Sequence, residues 1–135
     1  MSEHRPVVRV RDVMKPQLDI VDGLTTVADA LRMMRHVETK TLLVSKRHEN
    51  DEYGIVLVSD IAKKVLAADR PPERVHIYEI MTKPVLTMPP DMDIRYVARL
   101  FDQFGLSRAP VVEDGEVVGI ISHTDMVLKG LVRDL

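Results

Sequence analysis

The chain has 135 residues, enough for one compact domain or for two small lobes that share a core. Its 19 basic and 21 acidic residues nearly balance, so we expect no nucleic-acid partner. It has no cysteine, which excludes disulfides, thiolate nucleophiles and cysteine-based zinc sites. We also expect a soluble, cytoplasmic protein without a membrane span, because no apolar run approaches about 18 residues and the N-terminus has no apolar signal region.

In chain order, the sequence shows two copies of one unit. The first opens with Asp12-Val13-Met14-Lys15-Pro16, and the second opens 67 residues later with Glu79-Ile80-Met81-Thr82-Lys83-Pro84. A short extended piece follows each opening, at residues 18–21 and 85–88. Residues 69–74 form the linker, because consecutive prolines cannot continue a helix. The repeat therefore predicts one domain at residues 7–69 and a second at residues 75–135.

An amphipathic helix is predicted next in each copy. Thr26 and Asp93 are the predicted N-caps. Apolar residues then follow the i, i+3, i+4, i+7 spacing of a helix, at Val27, Ala30, Leu31 and Met34 and at Ile94, Val97, Ala98 and Phe101. We expect the outer helical surfaces, rich in Met33, Met34, Leu100 and Phe101, to be candidates for a homodimer interface.

Two short strands and a closing helix complete each copy. Asp114-Gly115 lies between apolar runs and predicts a tight hairpin turn with strands at 109–113 and 117–122. The matching loop of the first copy, residues 45–52, is polar throughout, so we expect it to be exposed and mobile. The closing helices are predicted to begin at Asp60 and Asp125, with Ile61, Val65, Met126 and Gly130 on a possible inner face.

The predicted fold is mixed α/β, with two repeats of β-α-β-β-α type. A unit of about 60 residues buries little surface alone, so the two copies are expected to pack sheet to sheet about a pseudo-twofold axis. Two equivalent clefts would then open between the lobes, each bordered by a strand-to-helix turn.

These motifs resemble a tandem pair of cystathionine-β-synthase (CBS) domains, a Bateman module. The resemblance rests on the two openings, on Ser107-Arg108-Ala109-Pro110-Val111-Val112 and on Gly119-Ile120-Ile121-Ser122-His123-Thr124-Asp125, and it covers residues 7 to 135. It implies a regulatory module that binds AMP, ADP, ATP or S-adenosylmethionine in its clefts, forms homodimers and acts on an unidentified partner protein. It also implies no catalytic activity of its own and no required cofactor.

Ribose recognition is predicted for two carboxylates. An ionised carboxylate accepts hydrogen bonds from both ribose hydroxyls, and Asp125 and Asp60 end the two matching motifs. The alternative is that each aspartate caps its helix, or that the neighbours Thr124 and Ser59 do so. Ser122 adds a hydroxyl that can donate to a phosphate or ribose oxygen. The first copy has Leu57 at that place, so the second cleft is the better candidate.

The phosphates and the adenine need other side chains. Arg108 and Lys40, taken as equivalent positions, are candidates for phosphate binding, and the alternative is that they are solvated cations at strand ends. Val85, Leu86 and Ile120 are candidates for an apolar adenine slot, although they are equally typical of core residues.

No metal or catalytic site is expected from the five histidines. His4, His36, His48, His76 and His123 show no metal-ligand spacing and no serine-acid partners, so most are predicted to lie at the surface. His123, inside the second motif, is a candidate for phosphate contact. The predicted function is a regulatory ligand-binding module, with a ligand-independent interaction scaffold as the alternative. An enzyme is the least favoured class.

Overall fold

The computed structural model describes residues 6–135, and His4 lies outside them. The chain divides into two compact units, which we call the first unit, residues 17–85, and the second unit, residues 6–16 with residues 86–135. In chain order the elements are α1 (Val10–Val13), β1 (Ile20–Val21), α2 (Val27–Met33), β2 (Thr41–Val44), β3 (Gly54–Leu57), α3 (Val58–Ile61), α4 (Ile94–Phe104), β4 (Arg108–Glu113), β5 (Glu116–Ser122) and α5 (His123–Asp125). Helix α3 continues as a π-helical turn over Ala62–Leu66. Helix α5 continues over Met126–Gly130 and ends in a 3-10 turn over Leu131–Asp134.

Both predicted amphipathic helices are present, and their predicted caps are confirmed. The Thr26 hydroxyl accepts a hydrogen bond from the Asp29 backbone N–H at 3.1 Å, and the Asp93 carboxylate accepts one from the Arg95 N–H at 2.9 Å. Each cap satisfies one of the donors that a helix N-terminus leaves without a backbone partner. Helix α4 ends at Phe104 and is capped by Gly105, whose φ of 65° is the left-handed conformation that favours glycine.

The strands form a small sheet in each unit. In the first unit the order is β1-β2-β3, with β1 parallel to β2 and β2 antiparallel to β3. In the second unit β4 and β5 form an antiparallel hairpin. Its turn is the predicted one, because Asp114 and Gly115 have φ values of 52° and 82°. The fold is therefore mixed α/β, and the same helix-hairpin-helix order occurs in both copies.

The opening motif of each copy packs in the unit that holds the other copy's hairpin. Lys15 exchanges two backbone hydrogen bonds with Ile120 of β5, at 2.9 and 2.8 Å. Thr82 makes the equivalent pair with Ile55 of β3, at 2.9 and 3.0 Å. The compact units of the structure are therefore composed differently from the two sequence copies.

A glycine makes the first of these contacts possible. A Cβ atom on Gly119 would lie 2.7 Å from the Lys15 carbonyl oxygen and 2.8 Å from the Met14 sulfur. Gly54 stands at the matching place in β3. The segment that carries Lys15 therefore approaches β5 more closely than a side chain would allow.

The structure corrects two expectations about the surface. Phe101 is fully buried in the core of the second unit, so it cannot contribute to an outer dimer interface. The helical periodicity that predicts α4 also turns Phe101 to the same side as Val97. The loop at residues 45–52 is exposed at its tip, but Asp51 is only partly exposed and its carboxylate accepts from the Lys83 ammonium at 2.8 Å.

Within residues 6–135, no helix combines the length and the apolar character needed to cross a bilayer.

Candidate functional site

Strand β5 ends at Ser122 and α5 follows directly, so this helix begins about one helical turn before its predicted start at Asp125. Ser122 is the N-cap, and its hydroxyl accepts from the Asp125 N–H at 3.2 Å and donates to the Asp125 carboxylate at 3.0 Å. The predictions that Asp125 or Thr124 caps this helix are therefore wrong. Asp125 is the third helical residue, and Thr124 is exposed. Serine is a preferred N-cap because its short side chain reaches these N–H groups.

The equivalent turn of the first unit has the same backbone path but a different cap. Helix α3 begins at Val58, and the Asp60 carboxylate accepts from the Leu57 N–H at 2.9 Å. Leu57 occupies the N-cap position and has no hydroxyl, and Ser59 lies inside the helix rather than at its start. The first unit therefore presents its aspartate without the serine that accompanies Asp125.

Asp125 is nearly inaccessible, and three side chains donate to it. The Lys15 ammonium lies 2.6 Å and the Lys129 ammonium 3.2 Å from Oδ1, while the Ser122 hydroxyl lies 3.0 Å from Oδ2. Only 3% of the Asp125 side chain is exposed, compared with 22% for Lys15 and 49% for Lys129. The carboxylate is thus a buried acceptor surrounded by cationic donors.

Electrostatics keep this carboxylate ionised. Burial raises the pKa of Asp125. Hydrogen bonds from Lys15, Ser122 and Lys129 together lower it by a larger amount, so the pKa lies below the usual range of an aspartate. Asp125 is therefore a negatively charged acceptor at neutral pH. That is the state in which a carboxylate makes short, charge-assisted hydrogen bonds to hydroxyl groups.

Arg108 belongs to the same site. It is the first residue of β4, and it pairs directly with Ser122 across the antiparallel ladder. Burial lowers the pKa of Arg108 and the charge of Asp125 opposes that shift, but a guanidinium stays protonated at neutral pH. We call these five residues (Lys15, Arg108, Ser122, Asp125 and Lys129) the Asp125 cluster.

Lys40 is not the counterpart of Arg108. Thr41 pairs with Leu57 as Arg108 pairs with Ser122. The Lys40 carbonyl accepts a hydrogen bond from the backbone N–H of the first α3 residue at 3.0 Å. The Ser107 carbonyl makes the same bond to the first residue of α5, so Lys40 is the counterpart of Ser107. Lys40 is exposed, and its φ of 55° turns the chain into β2. The sequence alignment of the two copies was therefore one residue out of register here.

The predicted adenine residues lie in different surroundings. Ile120 is buried in β5, with 3% of its surface exposed, and its backbone pairs with Lys15. Leu86 is 41% exposed, whereas Val85 is half-buried in the first unit. Contact with adenine stays a prediction for all three. His123 is exposed and packs against the Phe101 ring at 5.3 Å between centroids, and its predicted phosphate contact is likewise untested.

Sequence reasoning missed both lysines of the cluster. Lys129 follows Asp125 by four residues, the spacing of neighbours on a helix, and that signal was readable. Lys15 lies 110 residues before Asp125 and no local pattern connects them. The useful clue is Gly119, since a glycine inside an apolar strand indicates a close approach of another backbone segment.

Comparison with known proteins identifies the family. The CBS domain family model matches residues 10–67 and 77–130, which together are most of the chain. The chain belongs to the CBS domain family. In this CBS protein the two matched segments contain the two openings and the two strand-to-helix turns described above.

Solved CBS structures resemble it over nearly its whole length. A hexameric CBS-CP12 protein from bloom-forming cyanobacteria is 38% identical, with a TM-score of 0.89 over 95% of this chain and 74% of that chain. The CBS domain pair of protein MJ0100, in complex with 5′-methylthioadenosine and S-adenosyl-L-methionine, is 26% identical, with a TM-score of 0.78 over 95% and 99% of the two chains.

An uncharacterized protein of Methanocaldococcus jannaschii, MJ0450, is 27% identical over 85% of this chain. The CBS protein spans 62% of the length of that curated relative.

Proposed function

We propose that this CBS protein is a regulatory module that binds an adenosine-containing ligand at the Asp125 cluster and acts on another protein. The observation that carries the proposal is the buried, ionised Asp125 carboxylate, held beside a serine hydroxyl and three cations. The MJ0100 complex supports it, because a CBS pair of similar fold binds two adenosine-containing ligands.

The chemistry of the cluster suits a nucleoside. The two neighbouring hydroxyls of a ribose donate to Asp125 in charge-assisted hydrogen bonds. Ser122 donates to a ribose or phosphate oxygen once its bond to Asp125 is released. Arg108 pairs with a phosphate through its planar guanidinium. Leu86, exposed at the start of its segment, is our candidate for the apolar contact with adenine.

We propose one ligand per chain, bound at the second-copy motif. The first unit has Leu57 where Ser122 stands and Thr41 where Arg108 stands. Asp60 therefore lacks both the hydroxyl and the ladder-paired cation that accompany Asp125. A carboxylate alone offers a nucleotide too few polar partners for selective binding.

Regulation follows if the ligand binds two arrangements of the protein with different affinity. A ligand shifts such an equilibrium only by its differential affinity for the two states. We propose that the protein forms a homodimer and that the bound ligand changes the surface offered to a partner protein.

Isothermal titration with AMP, ADP, ATP and S-adenosylmethionine tests the proposal. We expect saturable binding of at least one ligand, with one bound per chain. Asp125→Asn keeps the shape of the side chain but removes its charge, and should weaken binding by about ten- to a hundredfold, the worth of a charged hydrogen bond. Asp60→Asn is the matched control and should bind normally.

Two outcomes would contradict the proposal. Equal affinity of Asp125→Asn and wild type would show that the carboxylate has no role in binding. Absence of both binding heat and thermal stabilisation with all four ligands would favour the interaction scaffold instead. Circular dichroism of each variant establishes that it is folded.

A further inference from the structure

The charges of the Asp125 cluster lead one step further, on the basis of the proposed function. Lys15, Lys129 and Arg108 surround a single carboxylate, so the cluster has a surplus of positive charge. We infer that the site selects a phosphorylated, anionic adenosine ligand over a neutral or cationic one, and that Lys15 is the residue that sets this preference.

The acceptor capacity of Asp125 is nearly used up before a ligand arrives. A carboxylate offers about four lone-pair sites, and Lys15, Lys129 and Ser122 already donate to three of them. A ribose needs two sites for its two hydroxyls. At least one of the present donors must therefore leave Asp125 when a nucleoside binds.

The two lysines differ in the cost of leaving Asp125. Lys129 is half exposed, with 49% of its side chain accessible, so its ammonium can return to water at little cost. The Lys15 side chain is only 22% exposed and lies 2.6 Å from Asp125. A partly buried ammonium that loses its partner is costly, because the remaining charge is poorly solvated.

The backbone also fixes Lys15 in place. Its N–H and carbonyl are both bonded to Ile120, and Gly119 lets this segment lie directly against β5. Lys15 therefore stays beside Asp125, and its ammonium, which has three N–H donors, can donate to a ligand oxygen as well. A phosphate is an anionic acceptor for that donation, and adenosine has none. S-adenosylmethionine has one carboxylate, but its sulfonium and ammonium groups make it a net cation.

The ligand expected here differs in charge from the ligands in the MJ0100 complex. The MJ0100 pair binds 5′-methylthioadenosine, which is neutral, and S-adenosylmethionine, which is a sulfonium. For this protein we expect AMP to bind most tightly, adenosine less tightly and S-adenosylmethionine least tightly.

Titration calorimetry with these three ligands tests the ranking, and AMP differs from adenosine only by its phosphate. In wild type we expect AMP to bind about ten- to a hundredfold more tightly than adenosine, the worth of a charged hydrogen bond. Lys15→Met should reduce the ratio of AMP affinity to adenosine affinity about tenfold, because methionine cannot donate to a phosphate. It should not weaken adenosine binding, because one of the two ammonium groups that compete for Asp125 is removed. Lys15→Arg should retain most of the ratio.

Lys83→Met is the matched control. Lys83 is also 22% exposed and pairs with a carboxylate, Asp51, at 2.8 Å, but it lies in the first unit. The Lys83→Met variant should leave the ratio of AMP affinity to adenosine affinity unchanged. If Lys15→Met fails to fold, the wild-type ranking and the Lys15→Arg variant still decide the inference.

The outcomes separate the inference from the proposed function. Equal binding of AMP and adenosine, or tighter binding of S-adenosylmethionine, overturns the inference and leaves the proposed function intact. An unchanged ratio in Lys15→Met overturns the role of Lys15. Failure of all three ligands to bind overturns both.

Discussion

Gly119→Ala should strongly destabilise this protein. The new Cβ atom would lie 2.7 Å from the Lys15 carbonyl oxygen, where ordinary contacts begin at 3.4 Å. The neighbour is backbone, so it cannot rotate away as the end of a side chain can. The opening segment must therefore move by roughly 0.7 Å away from β5.

The expected cost combines two effects. Overpacking a close contact typically costs about 1 to 3 kcal/mol. The two backbone hydrogen bonds between Lys15 and Ile120 contribute about 1 kcal/mol each, and the displacement weakens both. We expect a loss of about 2 to 4 kcal/mol in the free energy of unfolding, with Tm lower by roughly 10 °C.

Urea denaturation followed by circular dichroism measures this loss, and Gly54→Ala is the graded control. The nearest atoms to a Cβ on Gly54 are the Met81 sulfur at 3.1 Å, the Val44 Cβ at 3.3 Å and the Thr82 carbonyl oxygen at 3.4 Å. A thioether adapts easily, so this variant should lose about 1 kcal/mol or less. Wild-type stability of Gly119→Ala, or a greater loss in Gly54→Ala, would refute the reasoning.

Two further predictions concern the core and the acid range. Phe101→Ala should cost about 3 to 5 kcal/mol in guanidinium denaturation because Phe101 is fully buried, whereas Phe104→Ala, at a side chain 56% exposed, should be nearly neutral. The lowered pKa of Asp125 contributes stability that is present above the usual aspartate pKa of about 4 and is lost as the pH falls through the folded-state pKa. NMR titration of the Asp125 carboxyl should show ionisation persisting below pH 4, and Lys15→Met should raise the midpoint. A wild-type midpoint at or above 4 would contradict the ion-pair account.

Local features of the fold were readable from the sequence. Thr26 and Asp93 cap their helices, and Asp114-Gly115 forms the hairpin turn, because each depends on residues within a few positions. The two family segments follow from repeated motifs in the same way. The second motif leads from a strand into a helix as predicted, and the role of Asp125 in ribose binding stays a prediction.

The surroundings of that aspartate were not readable. Lys15 reaches Asp125 from 110 residues away, through a backbone pairing that no periodicity reports. The true counterpart of Arg108 is Thr41 and not Lys40, because strand register depends on the length of the turn before the strand. The helix start at Ser122 was missed because three of the four polar residues from Ser122 to Asp125 have side chains that can cap a helix.

Each opening segment packs in the unit that holds the other copy's hairpin, and this arrangement affects the order in which the units fold during synthesis. Residues 17–85 are one continuous stretch, so we expect the first unit to begin folding before the second unit has been synthesised. The segment that carries Lys15 is synthesised before them but must wait for Ile120, the residue with which it pairs. A circular permutant that begins at Leu86, joins residue 135 to residue 6 and ends at Val85 would make both units continuous. Such a chain should fold without this delay.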